Sequence, residues 1–508
     1  MNRSNIQLPL QTGSLTLGFM VWVILSSLIA FIKESIALSP SQLTWVTATP
    51  VLFGSIMRVP VGYWTNRFGA RKLFTLSFIV LLLPVYWLSR ADSFGDLIIG
   101  GLFLGMGGAV FSVGVTSLPK YYPKSRHGFV NGIYGMGNLG TAISTFGAPV
   151  LANQIGWSKT ILAYGALLIV MAVVMFLLGD REETPVRASL MDQIRGVAGN
   201  SKLWLLCLFY FLTFGSFVAF TVYLPNFLVS SFGLTKVDAG LRTAGFIALA
   251  TFMRPLGGYL GDKFNPFKIL MLVFVGLTAA GVLLSFAPSM LWYTISCLTI
   301  ALCAGLGNGT IFKLVPMYFA KQAGIANGII SAMGGLGGFF PPLMLAFLFK
   351  LTGHYAIGFM AMSEVALACL ILIVWMFFQE KLGLSARIIE NAVEGIMITD
   401  TTGHIRSVNA AFTQITGYEE HEVVGKTPSI LKSGIQGEDF YRELWDSLRQ
   451  DGSWQGEIWN RRKGGDVYQE WLTISSVKND AGDVMLYSGM FSDLTRKAGK
   501  IKAEPIKE

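Results

Sequence analysis

Charge is what this sequence is short of. Only 14% of its 508 residues are Asp, Glu, Lys or Arg, against about 25% in soluble globular proteins. That shortfall excludes an ordinary water-soluble enzyme. Cysteine and histidine are scarcer still, four of each. Cys207, Cys297, Cys303 and Cys369 all sit in apolar stretches without a CxxC pair, so they read as small buried residues rather than as metal or disulfide chemistry. His127, His354, His404 and His421 are scattered, and no metal site can be assembled from them.

What the chain has instead is apolar length. Hydrophobic residues make up 53% of it, and mean hydropathy is +0.55. Runs near 20 residues, each able to cross a bilayer, recur at 17–33, 41–63, 72–90, 95–119, 128–153, 159–179, 203–229, 238–260, 267–287, 290–313, 322–350 and 356–379. The expected fold is an all-α polytopic membrane protein of twelve transmembrane helices in two six-helix, pseudo-symmetric bundles. The first apolar run, 17–32, reads as a spanning helix rather than as a cleavable signal. The halves are 10–180 and 203–380, joined by the polar linker 181–202 with Arg181, Glu182, Glu183, Arg187 and Arg195.

Charge then divides the chain. Residues 381–508 hold 16 Lys/Arg and 19 Asp/Glu, whereas 1–380 hold 23 and 11. The last quarter is therefore a separate soluble domain. A pI of 9.2 would invite a nucleic-acid partner, but the basic excess belongs to membrane loops, and none is expected. Arg67, Arg71, Lys72, Lys120, Lys124, Arg126, Lys202, Lys263, Lys268 and Lys321 share one side of the bilayer; Lys33, Arg90, Lys159, Lys236 and Lys350 share the other. The basic side is cytoplasmic by the positive-inside rule, which puts both termini and the soluble domain inside the cell.

An internal repeat runs through the membrane part. Arg58, Gly62, Asn66 and Arg67 recur as Arg254, Gly258, Asp262 and Lys263, each displaced by 196 residues. Asn131-Gly132-Ile133 recurs as Asn327-Gly328-Ile329 at the same offset. Parallel repeats of this kind build two-bundle secondary transporters, with the substrate site at the repeat interface. Arg58 and Arg254 both lie inside apolar helices, where a charge costs at least ~2.5–3.5 kcal/mol. A snorkelling side chain or a structural ion pair would answer that cost, but Glu364 is the one acid well inside a span. A small anion gripped between the two guanidiniums would answer it as well, since arginine offers parallel donors and a permanent charge. Two glycine-rich runs follow the repeated Asn-Gly pairs. The first has Gly135, Gly137, Asn138 and Gly140; the second has Gly334, Gly335, Gly337 and Gly338. Close packing explains many such glycines, but a membrane Asn138 needs a polar partner.

The segment Gly62-x-x-x-Asn66-Arg67-x-Gly69-x-Arg71-Lys72 resembles the loop motif of the major facilitator superfamily, with Asn66 where an Asp is usual and Asp262 retained in the second copy. The resemblance implies a gating loop of Gly62, Asn66, Arg67, Arg71, Asp262 and Lys263 that latches one conformation. The two glycine signatures resemble those of the nitrate/nitrite porter branch. That resemblance, over about residues 10–380, implies transport of nitrate and nitrite with Arg58 and Arg254 on the oxyanion. Asn138 would add a hydrogen bond, and Tyr210, Phe214 and Phe111 an aromatic wall. The glycines Gly135, Gly137, Gly140, Gly334, Gly335 and Gly337 would lie along the site. No cofactor is expected for transport. Proton symport needs a titrating group near the centre; exchange of nitrate for nitrite needs none, and is the favoured expectation over a nitrate/proton symporter. A transporter-like anion receptor is the alternative of another class.

From residue 384 the pattern changes to short alternating strands and turns. Residues 384–497 resemble a PAS sensor domain, an α+β fold, and 498–508 form a tail. Trp454 and Asn460 are reminiscent of flavin-binding PAS redox sensors, which makes FAD a candidate ligand, although core packing accounts for tryptophans in a sheet equally well. Its output is expected at the transporter, at a signalling partner or through a PAS-mediated dimer. Gly383 is the one expected break between the last span and this domain.

Overall fold

The computed structural model describes residues 3–183, 189–286, 289–479 and 482–495. The chain divides into two compact units, 1–375 and 376–508. Arg187 and the tail 498–508 lie outside the described residues.

The first unit is helical throughout. Among the described residues, nine helices are long and apolar enough to cross a membrane. Three further helical segments of the expected twelve do not meet that measure: Pro40–Phe68, 127–155 and Lys236–Lys263. They hold Arg58, Asn138 and Arg254, which add to their polar content. The first helix begins at Arg3, well before the apolar run at 17. Its early turns are hidden from hydropathy because they carry Gln7 and Gln11. Both are buried, and their amides donate to the Leu178 carbonyl (3.2 Å) and the Ser117 hydroxyl (3.2 Å). The linker is also not all loop: Leu190–Ala198 is a helix, capped by the Ser189 side chain and burying Gln193 and Val197.

Three spans are interrupted, the first of them at Val23, between Arg3–Trp22 and Ile24–Ser35. The segment from Phe94 breaks at Gly105 and Val110 before resuming as Phe111–Ser117. The segment from His127 passes through a 3₁₀ turn at Met136–Asn138. Such irregular backbone survives in a membrane only where protein or a polar cavity satisfies it. Here it frees the Gly108 carbonyl for a side-chain donor.

The repeat is visible in the packing. A Cβ on Gly62 would strike the Gly324 carbonyl, and one on Gly258 would strike that of Gly128. These two contacts, each between the halves, are related by the 196-residue offset. Asn131 Nδ2 donates to the Phe312 carbonyl (3.3 Å), and Asn327 Nδ2 to that of Val115 (2.9 Å). The repeated Asn-Gly pairs are therefore crossing points: glycine permits backbone contact, and asparagine ties the crossed helices.

The second unit contains a five-stranded antiparallel sheet in the order β2-β1-β5-β4-β3. The strands are β1 Gly395–Asp400, β2 Ile405–Val408, β3 Ser453–Arg461, β4 Val467–Lys478 and β5 Val484–Asp493. Short helices fill the connection from β2 to β3, with Glu438–Gln450 the longest. Asn409 organises the entry, accepting at Oδ1 from the N–H groups of Ile396 (2.8 Å) and Phe412 (3.0 Å). The preceding helix, Ala356–Glu390, runs through Gly383 without the expected break; one helical glycine costs only ~1 kcal/mol.

Candidate functional site

Arg58 and Arg254 are almost wholly buried, at 0% and 1% exposure, and they face the same two rings. The Arg58 guanidinium lies 5.4 Å from Phe111 and 5.5 Å from Phe214; that of Arg254 lies 5.6 and 5.9 Å from them. Tyr210 stacks on Phe214 at 5.2 Å and lends its hydroxyl to Arg254 Nη2 at 3.4 Å. Two arginines from symmetry-related helices thus meet at one aromatic wall.

Their hydrogen bonding is unequal. Arg58 Nε donates to the Gly108 carbonyl (3.2 Å) and Nη1 to that of Ser331 (2.6 Å) in the opposite half. Nη2 has no hydrogen-bond partner among the described residues, and neither Nε nor Nη1 of Arg254 has one. Among the described residues no carboxylate forms an ion pair with either arginine, and Glu364 lies on an exposed helix face. A buried unsatisfied donor costs ~1–3 kcal/mol, and more when charged. Two cations with three open donor atoms can therefore hold an oxyanion that brings both the charge and the acceptors.

The anticipated set is partly gathered here. Arg58, Arg254, Phe111, Tyr210 and Phe214 come together, and three glycines edge them. A Cβ on Gly135 would strike the Arg254 guanidinium, one on Gly334 the Tyr210 ring, and one on Gly335 the Ser55 hydroxyl next to Arg58. The other glycines face elsewhere: Gly137 packs on Leu15, Gly140 on the Thr16 carbonyl and Gly337 on that of Phe211. These are contacts within one half, because the helices beside them belong to the same bundle. Asn138 is buried and, among the described residues, has no partner at Oδ1 and no hydrogen bond to either arginine.

Residues that sequence reasoning passed over complete the wall. Phe312 meets Tyr210 at 4.9 Å and Phe111 at 5.4 Å, both edge-on. Trp22 lies 5.8 Å from the Arg58 guanidinium. Ser331 shares a hydroxyl hydrogen bond with Ser112 at 3.0 Å. Aromatic residues in apolar helices carry no marker of this role; Ser331 was legible from its offset of 196 from Gly135.

At the basic end, the expected gating residues divide by charge. Asp262 accepts from the N–H groups of Gly128 (3.0 Å) and Phe129 (2.7 Å), at the start of His127–Gly135, and pairs with Lys313 at 2.6 Å. A carboxylate at a helix N-terminus is favoured by the dipole. Asn66, at the matching place, lies against Gly324 with an uncharged amide. Arg67 donates to the Tyr63 hydroxyl (3.2 Å), Arg71 to the Phe176 carbonyl (2.7 Å), and Lys263 lies over the Tyr259 ring at 5.9 Å. Glu183, in the linker, supplies the missing acid of the first half. It accepts from Ala70 N–H (2.8 Å) and pairs with Lys120 (2.8 Å).

In the second unit Asn460 lines an internal cavity of about 380 Å³. Trp454 instead packs edge-on against Phe440 at 5.7 Å.

Comparison with known proteins agrees with this architecture. Residues 12–342 match the Major Facilitator Superfamily model, and 393–496 match a PAS domain model. The chain is 62% identical over 381 residues to a nitrite extrusion protein of Bacillus subtilis, covering 75% of this chain and 96% of that one. It is 51% identical over 381 residues to a probable nitrate transporter NarT of Staphylococcus epidermidis, covering 75% and 98%. The solved structure of the human organic anion transporter MFSD10 shares the fold at a TM-score of 0.63 and 14% identity, over 73% of this chain and 99% of that one. The chain belongs to the major facilitator superfamily, in its nitrate/nitrite porter branch, and carries a PAS domain after the membrane region.

Proposed function

We propose that residues 1–380 carry nitrate and nitrite across the cytoplasmic membrane by alternating access, exchanging one anion for the other. The observation that carries this reading is the pair of buried guanidiniums at one aromatic wall without a carboxylate partner. A planar oxyanion matches the donor geometry of arginine, and the names of the similar proteins agree with that cargo. Exchange follows from charge. Closing the halves without an anion would press two unscreened cations together, whereas a bound anion removes the repulsion. Among the described residues no Asp or Glu of the membrane unit is fully buried beside the arginines to serve as a proton carrier. The basic loops face the cytoplasm.

Counterflow in proteoliposomes tests this directly. External nitrate is expected to drive efflux of loaded nitrite, with an initial rate independent of an imposed pH gradient. A rate that follows the pH gradient would assign proton symport instead.

The PAS domain is read as a regulator. The helix Ala356–Glu390 joins the last apolar run to it in one continuous element, and a helical connection passes torsion that a Gly/Ser linker would absorb. A coupling of only ~1–3 kcal/mol changes state populations several-fold. A chain ending at residue 383 is expected to keep its anion selectivity and to change its exchange rate, or its response to reducing conditions. Identical rates for both chains in oxidising and reducing buffer would make the domain a passenger.

A further inference from the structure

The turn that carries Phe111 is held open by a side chain. In an uninterrupted helix the Gly114 N–H would bond the Val110 carbonyl, four residues before it. The Tyr134 hydroxyl stands at both groups: it accepts from the Gly114 N–H at 3.3 Å and donates to the Val110 carbonyl at 2.9 Å. That carbonyl also accepts from the Val113 N–H at 3.0 Å, the tighter bond of a 3₁₀ turn. A side chain inserted into the backbone ladder is a recognised cause of a helix break, and this break is the one that ends at Val110. Tyr134 is fully buried, and its ring lies 5.8 Å from that of Phe111. The other half serves as an internal control. At the offset of 196 Tyr134 becomes Ile330, which has no hydroxyl, and the helix Met290–Tyr318, matching the segment from Phe94, runs without interruption. Hydroxyl and break occur together in one half, and at the matching places of the other both are missing.

We propose that Tyr134 is a positioning residue of the anion site, whose hydroxyl keeps the turn Val110–Gly114 open and so seats the Phe111 ring against both guanidiniums. The proposal rests on reading that wall as an anion site. Phe111 is the first residue after the break, and its ring lies 5.4 Å from the Arg58 guanidinium and 5.6 Å from that of Arg254. Its direction therefore follows the local winding, which is about 120° per residue in a 3₁₀ turn and about 100° in an α-helix. The same break leaves the Gly108 carbonyl to Arg58 Nε. Tyr134 acts through these groups and not on the anion itself, because its hydroxyl is occupied by two backbone partners. Removing that oxygen does not orphan them: the Gly114 N–H and the Val110 carbonyl can close on each other as in any helix. The expected cost thus falls on the site and not on the fold.

The probes are nitrate, titrated by calorimetry into the full chain in detergent, and 4-fluorophenylalanine at position 111, whose fluorine resonance reports the seating of the ring. Tyr134→Phe should move that resonance in the absence of nitrate. It should also weaken nitrate binding about tenfold, the size expected when a ring loses desolvated contact with two guanidiniums. The melting temperature should hold. In a Phe111→Leu background Tyr134→Phe should weaken binding no further, the non-additivity of a residue that works through another. Gly114→Ala reaches the same point from the other side, since its Cβ would strike the Tyr134 ring. It should move the resonance too, and it decides the matter should the first variant not fold. An unmoved resonance in either variant, unchanged nitrate affinity in Tyr134→Phe, or additive losses in the double variant would each overturn the proposal. A wild-type chain that binds no nitrate would refute the anion site alone, with the fluorine resonance still deciding the role of Tyr134.

Discussion

Replacing Arg254 by lysine is expected to reduce exchange of nitrate and nitrite by one to two orders of magnitude, without loss of the folded protein. A hydrogen bond to a charged group contributes ~1.5–3 kcal/mol, which is roughly 10- to 150-fold in affinity. Lysine keeps the charge but replaces a planar fork by a single ammonium that cannot hold two oxygens in parallel. Arg254 is the cleaner probe of the two, because one bond of 3.4 Å to Tyr210 is its hydrogen bond to the protein. Arg58→Lys should lose at least as much activity and also some stability. Its guanidinium braces the Gly108 carbonyl in one half against the Ser331 carbonyl in the other, and no lysine rotamer spans both while facing an anion. Substrate binding by calorimetry, beside counterflow, separates the effects. Wild-type affinity in Arg254→Lys would refute the assignment.

The arginines could be found from sequence because a buried charge is expensive and the repeat displays it twice. The wall around them could not. Phe312 and Trp22 sit in helices where aromatic residues are ordinary, and which ring faces a guanidinium depends on packing that periodicity does not encode. Breaks at Gly105 and Met136 were equally hidden, since glycine is dense throughout these helices and most glycines leave the helix intact. The first turns of the chain were missed for the opposite reason: Gln7 and Gln11 are polar enough to end a hydropathy run, yet they are buried and hydrogen-bonded. The burial of Glu470 was readable and was passed over. Tyr468, Glu470, Leu472 and Ile474 share one face of β4 by strict alternation, and Glu470, the acid among them, lines the internal cavity. The glycine signatures were recognised, but their division was not. Gly135, Gly334 and Gly335 border the arginines, whereas Gly137, Gly140 and Gly337 join helices within a half.

The backbone contacts between the halves fall instead at Gly62 and Gly258. Gly258→Leu and Gly62→Leu are expected to stop turnover while leaving substrate binding largely intact. At each position a Cβ would strike a backbone carbonyl of the opposite half, Gly128 for the first and Gly324 for the second. A carbonyl within a helix cannot rotate aside as a side chain does, so the two halves must part. Overpacking of this kind costs ~1–3 kcal/mol. Because it falls on the state closed at the basic end and not on the open one, it shifts their ratio by roughly 5- to 150-fold. Wild-type protein closes that end through Gly62, Gly258 and the Asp262 contact to Gly128 and Phe129; the leucine variants should leave it open. Gly245→Leu is the control, since it lies on the same helix as Gly258 and a Cβ there meets nothing within 4 Å. Counterflow should therefore fall in the two contact variants and persist in the control, and a thiol reagent should reach a cysteine placed at Asn66 faster in Gly258→Leu than in Gly245→Leu. Equal labelling rates together with equal turnover would show that the halves do not separate along this pair of crossings.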